Sequence, residues 1–307
     1  MKRIVLFVLI FITVVCVAAE DGVKTSQLIT VNATTRLELQ VKFTQTFIFP
    51  VFAGTHALTG NNNLRLDLSA DITPVSVNGT AEFVLTPVAF LQLVAGGAIG
   101  SGWNIPLADG LRINEPGRNP DGTLDGSNEL TGDAFDGFVW TVKGGGVFQF
   151  DLAAVKPGDW NHVVFRTYHG LRYRALTTAG ADDSWVYEND TGEERNGWWY
   201  YGNYFLGYQM PLPVSLVGIL VEEELFLYTT DGQRYWGDDI SRWIFGLLVT
   251  YDVSPAISVS ALLQARTKKN YEGDTGDYDF YQLRNIDRDD PRSLEFYRFG
   301  LSLDIAL

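Results

Sequence analysis

Apolar and polar residues alternate one by one along most of this chain, most cleanly at its end. There, Tyr297, Phe299, Leu301, Leu303, Ile305 and Leu307 interleave with Arg298, Gly300, Ser302, Asp304 and Ala306. A strand sends successive side chains to opposite faces, so this segment has one apolar face and one small or polar face. Residues 35–49 repeat the pattern, with Leu37, Leu39, Val41, Phe43, Phe47 and Phe49 against Arg36, Glu38, Gln40, Lys42, Thr44 and Thr46. Residues 64–73, 138–152 and 160–175 alternate in the same way, and 80–100 does so less cleanly. Pro87 has no N–H to give a ladder and predicts a bulge in that third segment. With 197–210, 214–228, 240–252, 256–269 and 294–307, the pattern predicts ten strands.

The spacing between these strands carries the topology. Short turns are expected near Thr73–Thr80, Val155–Gly158, Pro211–Pro213 and Val253–Ala256, and long polar loops at 50–63, 104–136, 176–196, 229–239 and 270–292. Strict alternation of short and long, with an even strand count, is the arrangement of a transmembrane barrel with periplasmic turns and external loops. The expected fold is therefore all-β, an antiparallel transmembrane β-barrel of ten strands, with eight or twelve as the alternatives. Trp140, Trp198, Trp243 and Tyr297 fall near the loop ends of their strands, and Phe150, Trp160, Tyr208 and Tyr251 near the turn ends. Those positions predict two interfacial girdles.

The chain's start changes where this barrel would be placed. Lys2 and Arg3 precede an apolar run from Ile4 to Val17, and Val17-Ala18-Ala19 ends in small residues. This order reads as a secretory signal peptide over 1–19, cleaved before a single barrel domain over 20–307. Val15 before Cys16 does not suit a lipoprotein site, and loss of Cys16 leaves no cysteine, which excludes a disulfide-stapled domain. Hydrophobic residues make up 46% of the chain, yet they are spread by alternation and form no later run long enough for a spanning helix. A formal net charge of −14 argues against nucleic acid as a partner, since phosphates would be repelled.

The whole mature chain resembles a Gram-negative-type outer-membrane β-barrel protein, and its general style is similar to uncharacterised outer-membrane proteins of spirochaetes. Residues 297–307 resemble the carboxy-terminal signal recognised by the barrel-assembly machinery, with Leu307 where an aromatic residue usually stands. The resemblance implies that machinery and a lipid bilayer as partners, and a location in the cell outer membrane. In outline the chain is similar to omptin-type proteases, but it has no Asp-x-His element. None of His56, His162 or His169 is followed two residues later by serine, the spacing used by outer-membrane phospholipases and lipid A deacylases.

Candidate chemistry is accordingly sparse. A tight turn at 155–158 would set Asp151 opposite His162, half of an acid–base triad with no serine or cysteine nucleophile nearby. This weak pair is the one catalytic candidate, and a structural role suits it better. Inward parity falls on Arg36, Glu38, Arg166, Arg172, Arg174, Glu222, Glu224, Arg266, Arg298 and Asp304, with Asp252 besides. Charges in a narrow lumen must find partners or water, so they would form either a salt-bridged plug or the lining of a narrow passage. Arg36 and Asp304 are expected to pair where the last strand meets the first. The loops at 176–196 and 270–292 are acidic, and Asn119–Asp125 has a loose resemblance to a calcium loop without its closing glutamate. No cofactor or resident metal is indicated. The leading expectation is a surface-exposed structural or ligand-binding barrel whose acidic loops meet an extracellular ligand or divalent cation. A narrow porin-like channel comes second, and a barrel enzyme acting on lipid or peptide third.

Overall fold

The computed structural model describes residues 22–56, 58–180, 183–188, 193–227 and 236–307. The expected signal peptide and Cys16 lie outside them. Twelve antiparallel strands close into a barrel, correcting the expected ten. In chain order the elements are β1 (Lys24–Thr34), β2 (Leu39–Pro50), β3 (Asn63–Ile72), β4 (Ser76–Val88), β5 (Leu91–Gly102), β6 (Leu111–Arg118), β7 (Leu124–Thr131) and β8 (Val139–Asp151). There follow β9 (His162–Leu176), β10 (Ser184–Tyr187), β11 (Glu194–Arg195), β12 (Gly197–Gln209), β13 (Val214–Phe226), β14 (Arg242–Ser254), β15 (Ile257–Lys269) and β16 (Arg292–Ala306). The barrel runs β1-β2-β3-β4-β5-β8-β9-β12-β13-β14-β15-β16, and β16 returns to pair with β1. The other four strands form a separate sheet, ordered β11-β10-β6-β7.

Two differences account for the revised count. The expected third strand, 80–100, turns back on itself at Ala89–Phe90, so β4 and β5 are a hairpin whose register shifts between Leu85 and Val88. Pro87 sits at that shift, as a residue without an N–H should. The second difference is β1, whose outward positions are Thr25, Gln27, Ile29, Val31 and Ala33. Only two of these are large and apolar, so its alternation is faint.

These corrections also move the loops. Both termini lie at one end with the connections 51–62, 89–90, 152–161, 210–213 and 255–256. The opposite end carries 35–38, 73–75, 103–138, 177–196, 227–241 and 270–291. The loop expected outside at 50–63 therefore shares the terminus end, and the short turn at 73–75 lies opposite. Strict alternation fails because the first half of the barrel has one unforeseen strand and one unforeseen hairpin.

The barrel is apolar outside and polar within. Leu93, Val142, Phe165, Leu206, Ile219, Phe245, Leu247, Leu263 and Leu301 are all exposed large hydrophobics on the outer face. At the far end of that face, Tyr173 packs between Trp140 and Trp198, with ring centroids 5.2 and 5.4 Å away. At the terminus end, the Tyr208 hydroxyl donates to the Trp160 carbonyl at 3.0 Å.

The closing strand departs from simple alternation. The β15–β16 register shifts between Gln264 and Ala265, so Gln264 faces Arg298 while Ala265 faces Phe296. Tyr297 is the extra residue of this bulge. Its ring lies inside, 4.5 Å from the Arg266 guanidinium, 4.8 Å from Arg298 and 5.2 Å from Arg36. Tyr297 is thus no part of the outer girdle, contrary to its parity.

Candidate functional site

The far mouth carries a small sheet built from its own loops. Strands β6 and β7 come from the 103–138 connection, and β10 and β11 from 177–196, segments expected to be plain polar loops. Ser184-Trp185-Val186-Tyr187 supplied a signal for this: four non-charged residues, three of them large and apolar, in an acidic stretch. Trp185 and Tyr187 pack with Leu111, Val139 and Leu176 in a small core beneath the sheet. The inward Arg174 guanidinium lies 5.3 Å from the Trp185 ring and 5.5 Å from that of Tyr187. Trp185 Nε1 donates to Asn196 Oδ1 at 3.1 Å.

A latch ties this cap to the end of β4, three strands from β9 around the barrel. Tyr187 donates its hydroxyl to Asn78 Oδ1 at 2.6 Å. Glu188 Oε1 accepts from Ser76 Oγ at 2.5 Å and from Asn78 Nδ2 at 2.7 Å. Glycine at position 100 is what leaves room: a Cβ there would stand 1.9 Å from Asn78 Oδ1 and 2.2 Å from the Tyr187 hydroxyl. Burial, helped by the Glu188 charge, pushes the Tyr187 hydroxyl well above the usual phenol range, so it remains a donor at ordinary pH.

The rest of the cap is held by buried charges. Arg195 and Lys269 both face Asp238, whose carboxylate is almost fully buried. The Tyr281 hydroxyl donates to the Trp236 carbonyl at 2.8 Å. Burial raises the pKa of Tyr271 and of Tyr281, each further raised by Glu193. Phe280 N–H donates to the Gly126 carbonyl at 3.2 Å, joining the 270–291 segment to the β6–β7 hairpin.

Below the cap, one side of the lumen is filled by paired charges. Glu224 accepts from Arg172 Nη2 at 3.0 Å and from Arg242 Nε at 2.9 Å. Arg172 also lies 4.4 Å from the Trp199 ring, whose partner across the ladder is Phe226. Arg174 pairs with Glu194 at 2.8 Å, and Arg266 with Glu295 at 2.7 Å. Glu222 accepts from the Tyr201 hydroxyl at 2.6 Å and from Gln264 at 3.4 Å. That last bond reaches across β14 because the intervening inward residue is Gly246. Arg298 completes the network, donating to Gln264 at 2.8 Å and Glu38 at 2.7 Å.

Three expected sites are placed differently. Arg36 does not meet Asp304: it lies in the β1–β2 turn at the far end, 3.6 Å from Glu38. Asp304 instead accepts from Thr30 Oγ1 at 2.6 Å in the terminus half. Adding β1 moved Arg36 to the other mouth. Arg166 faces Gln149 and Phe205 in the ladders, and no carboxylate lies within ion-pair distance of it among the described residues. Asp151 does meet His162, at 2.7 Å between Oδ2 and Nδ1, but diagonally, since its ladder partner is Val164. The connection is longer than a tight turn, and Asp151 Oδ1 also accepts from Ala153 N–H at 3.0 Å. The pair secures a turn at the terminus end.

In the loop of calcium-like composition, Thr123 hydroxyl and amide groups hold the Asp121 carboxyl below the usual carboxylate range, and Ser127 does the same for Asp125. These are self-satisfied turns, and no three metal-binding side chains converge among the described residues.

The opposite side of the lumen is open. A cavity of about 470 Å³ lies beside the cap, lined by polar residues such as Gln264, Arg298 and Glu188 and by apolar ones such as Val75, Leu248 and Leu262. A second, of about 500 Å³, lies at the terminus end against Asp252, Ser258 and Asp304. The two are one ladder step apart: Ser260 pairs with Ser302, and Ser258 with Asp304.

No protein-family model and no curated protein sequence matches this chain. Among solved structures it is similar to the β domain of the Bordetella autotransporter BrkA, at 11% identity and a TM-score of 0.37, covering 93% of this chain and 99% of that one. It is also similar to OprD of Pseudomonas aeruginosa, at 10% identity and a TM-score of 0.29, covering 94% and 97%. Likeness at this level carries nothing about ligand, partner or source, a spirochaete origin included.

Proposed function

We propose that this chain is an outer-membrane barrel that binds a small ligand in a capped chamber, and that it is not an open pore. The outward apolar band, flanked at both ends by aromatic residues, supports placement in a bilayer. The observation that carries the binding reading is the latch of Tyr187 and Glu188 onto Ser76 and Asn78. It holds the loop sheet over a cavity that is open on one side and lined by both apolar and polar side chains. Cavities of this size are typical of small-molecule sites.

The test is electrical and structural together. Refolded protein in a planar bilayer should give no resolved conductance steps, while Asn78→Ala, which removes the latch acceptor and donor, should produce them intermittently. Sustained steps from the unaltered protein would overturn the capped reading. They would favour the second one, a narrow channel, which the neighbouring cavities along β15 and β16 would support.

A further inference from the structure

We infer that the chamber opens sideways, between β16 and the β1–β2 hairpin, and admits a single-chain amphiphile with an anionic headgroup from the membrane. This rests on the capped-barrel reading above. The closing seam is the structural reason. β16 pairs with β15 over its whole length, from Arg292 to Ile305, but β1 meets it only from Leu28 to Thr34, opposite Gly300 to Ala306. The last ties are Thr35 N–H to the Phe299 carbonyl at 2.9 Å, and Phe299 N–H to Thr35 Oγ1 at 3.1 Å. Beyond them, no described strand pairs with the β16 edge from Ser293 to Arg298. By contrast, β12 stays paired with β9 from Gly197 to Gln209.

This notch has two chemistries. On its lumen side the bulge turns Tyr297 inward among the guanidinium groups of Arg36, Arg266 and Arg298, with Glu38 and Glu295 as their carboxylate partners. Arg298 lines the cavity itself and is the cation an anionic headgroup would meet, while of the lining acids Glu188 is held by Ser76 and Asn78 and Glu38 by Arg298. The amides and hydroxyls of Asn32, Gln40 and Ser302 add hydrogen-bonding groups. On its outer side, Leu294 and Phe296 are exposed, and the cavity lining itself extends from Arg298 and Gln264 to the outward Leu39 and Leu301.

The lip of the notch is strained. Leu37 also lines the cavity, is 86% exposed, and holds a left-handed backbone with φ of 61°. Glycine would adopt that turn without penalty. A fully exposed leucine there stabilises nothing in the barrel, whereas it suits contact with an apolar chain. On the capped reading the axial route is closed, and the notch would join the chamber to the face that meets lipid.

The test uses radiolabelled dodecanoate and the full chain held in amphipol, with equilibrium dialysis as the readout. The unaltered protein should bind dodecanoate saturably and bind methyl dodecanoate at least roughly tenfold more weakly. Gly300→Phe fills the chamber from its wall, where a Cβ has room because its nearest neighbour is Thr34 Cγ2 at 3.6 Å. It should abolish binding. Gly79→Phe, on open outer surface elsewhere, should not. Arg298→Gln should narrow the difference between acid and ester. Heat-modifiable mobility and flotation with vesicles report folding and insertion separately, so a barrel that fails to insert overturns the membrane reading itself. A folded, inserted protein that binds no dodecanoate overturns the inference alone. So does equal binding by folded Gly300→Phe, or, should that variant not fold, an unchanged acid–ester difference in Arg298→Gln.

Discussion

Arg298 donates to the Glu38 carboxylate at 2.7 Å, joining residues 260 positions apart across the seam where the barrel closes. Arg298 lies in the last strand and Glu38 ends the β1–β2 turn, so the bond ties that turn to the closing strand. Both side chains are about a third exposed, and solvent discounts what the pair contributes. Glu38→Ala should lower the free energy of unfolding from lipid vesicles by about 1 kcal/mol. In a double-mutant cycle with Arg298→Ala the two losses should not add, because each single change removes the same bond. Urea titration in vesicles measures both.

The latch depends on an absent side chain. Gly100→Ala would drive a methyl group into Asn78 and Tyr187. The expected result is a barrel of unchanged heat-modifiable mobility whose 103–138 and 177–196 segments become sensitive to added protease. A cap as resistant as before would show that the latch is not what holds it.

Alkaline pH should loosen the cap in a defined direction. Tyr187, Tyr271 and Tyr281 all have raised pKa values in the folded state. A group raised above its unfolded value contributes stability that is fully present below the unfolded pKa, about 10 for tyrosine. That contribution is lost as pH rises through the folded value. Protease protection of the cap should therefore stay level from neutral pH to about 10 and fall above it. Tyr187→Phe should reduce protection at neutral pH and flatten part of the alkaline fall.

The outer wall gives the most direct check of membrane placement. Leu247 is 47% exposed on β14, between the Trp243 and Tyr251 levels. Leu247→Arg should cost roughly 2–4 kcal/mol of insertion stability if this position meets the bilayer interior. Leu294→Arg, near the free end of β16, should cost about 0–1 kcal/mol. Equal small effects at both positions would contradict a spanning barrel.

How much of this was legible in the sequence depended on the side chains at each outward position. Where these were large and apolar, as in 214–228 and 256–269, strand and facing were both readable. In β1 they were largely small or polar, so the alternation gave no usable signal. At Tyr297 the alternation was perfect and misleading, because a one-residue bulge reverses facing without altering composition. The plug of paired charges followed from inward parity, but their partners did not. Arg298 finds Glu38 only because the unforeseen β1 places the β1–β2 turn beside β16. The cap lay furthest from reach, since β6, β7, β10 and β11 are short strands, and a sheet built from two distant loops leaves no periodicity along the chain.

The uneven rim of the barrel has a consequence for how it would be seen from outside a cell. The turns at 35–38 and 73–75 are three or four residues long, whereas the connections after β5, β9, β13 and β15 are much longer. One sector is thus a low sill, and the described residues of the longer connections form a headpiece tied together by hydrogen bonds. If the proposed membrane placement holds with this end outward, a partner approaching from above would meet the headpiece before the sill. Inserted tags should be tolerated at the exposed Asp121–Gly122 tip of the β6–β7 hairpin and should block assembly within 35–38, where Thr35 and Glu38 bond to Phe299 and Arg298 across the seam.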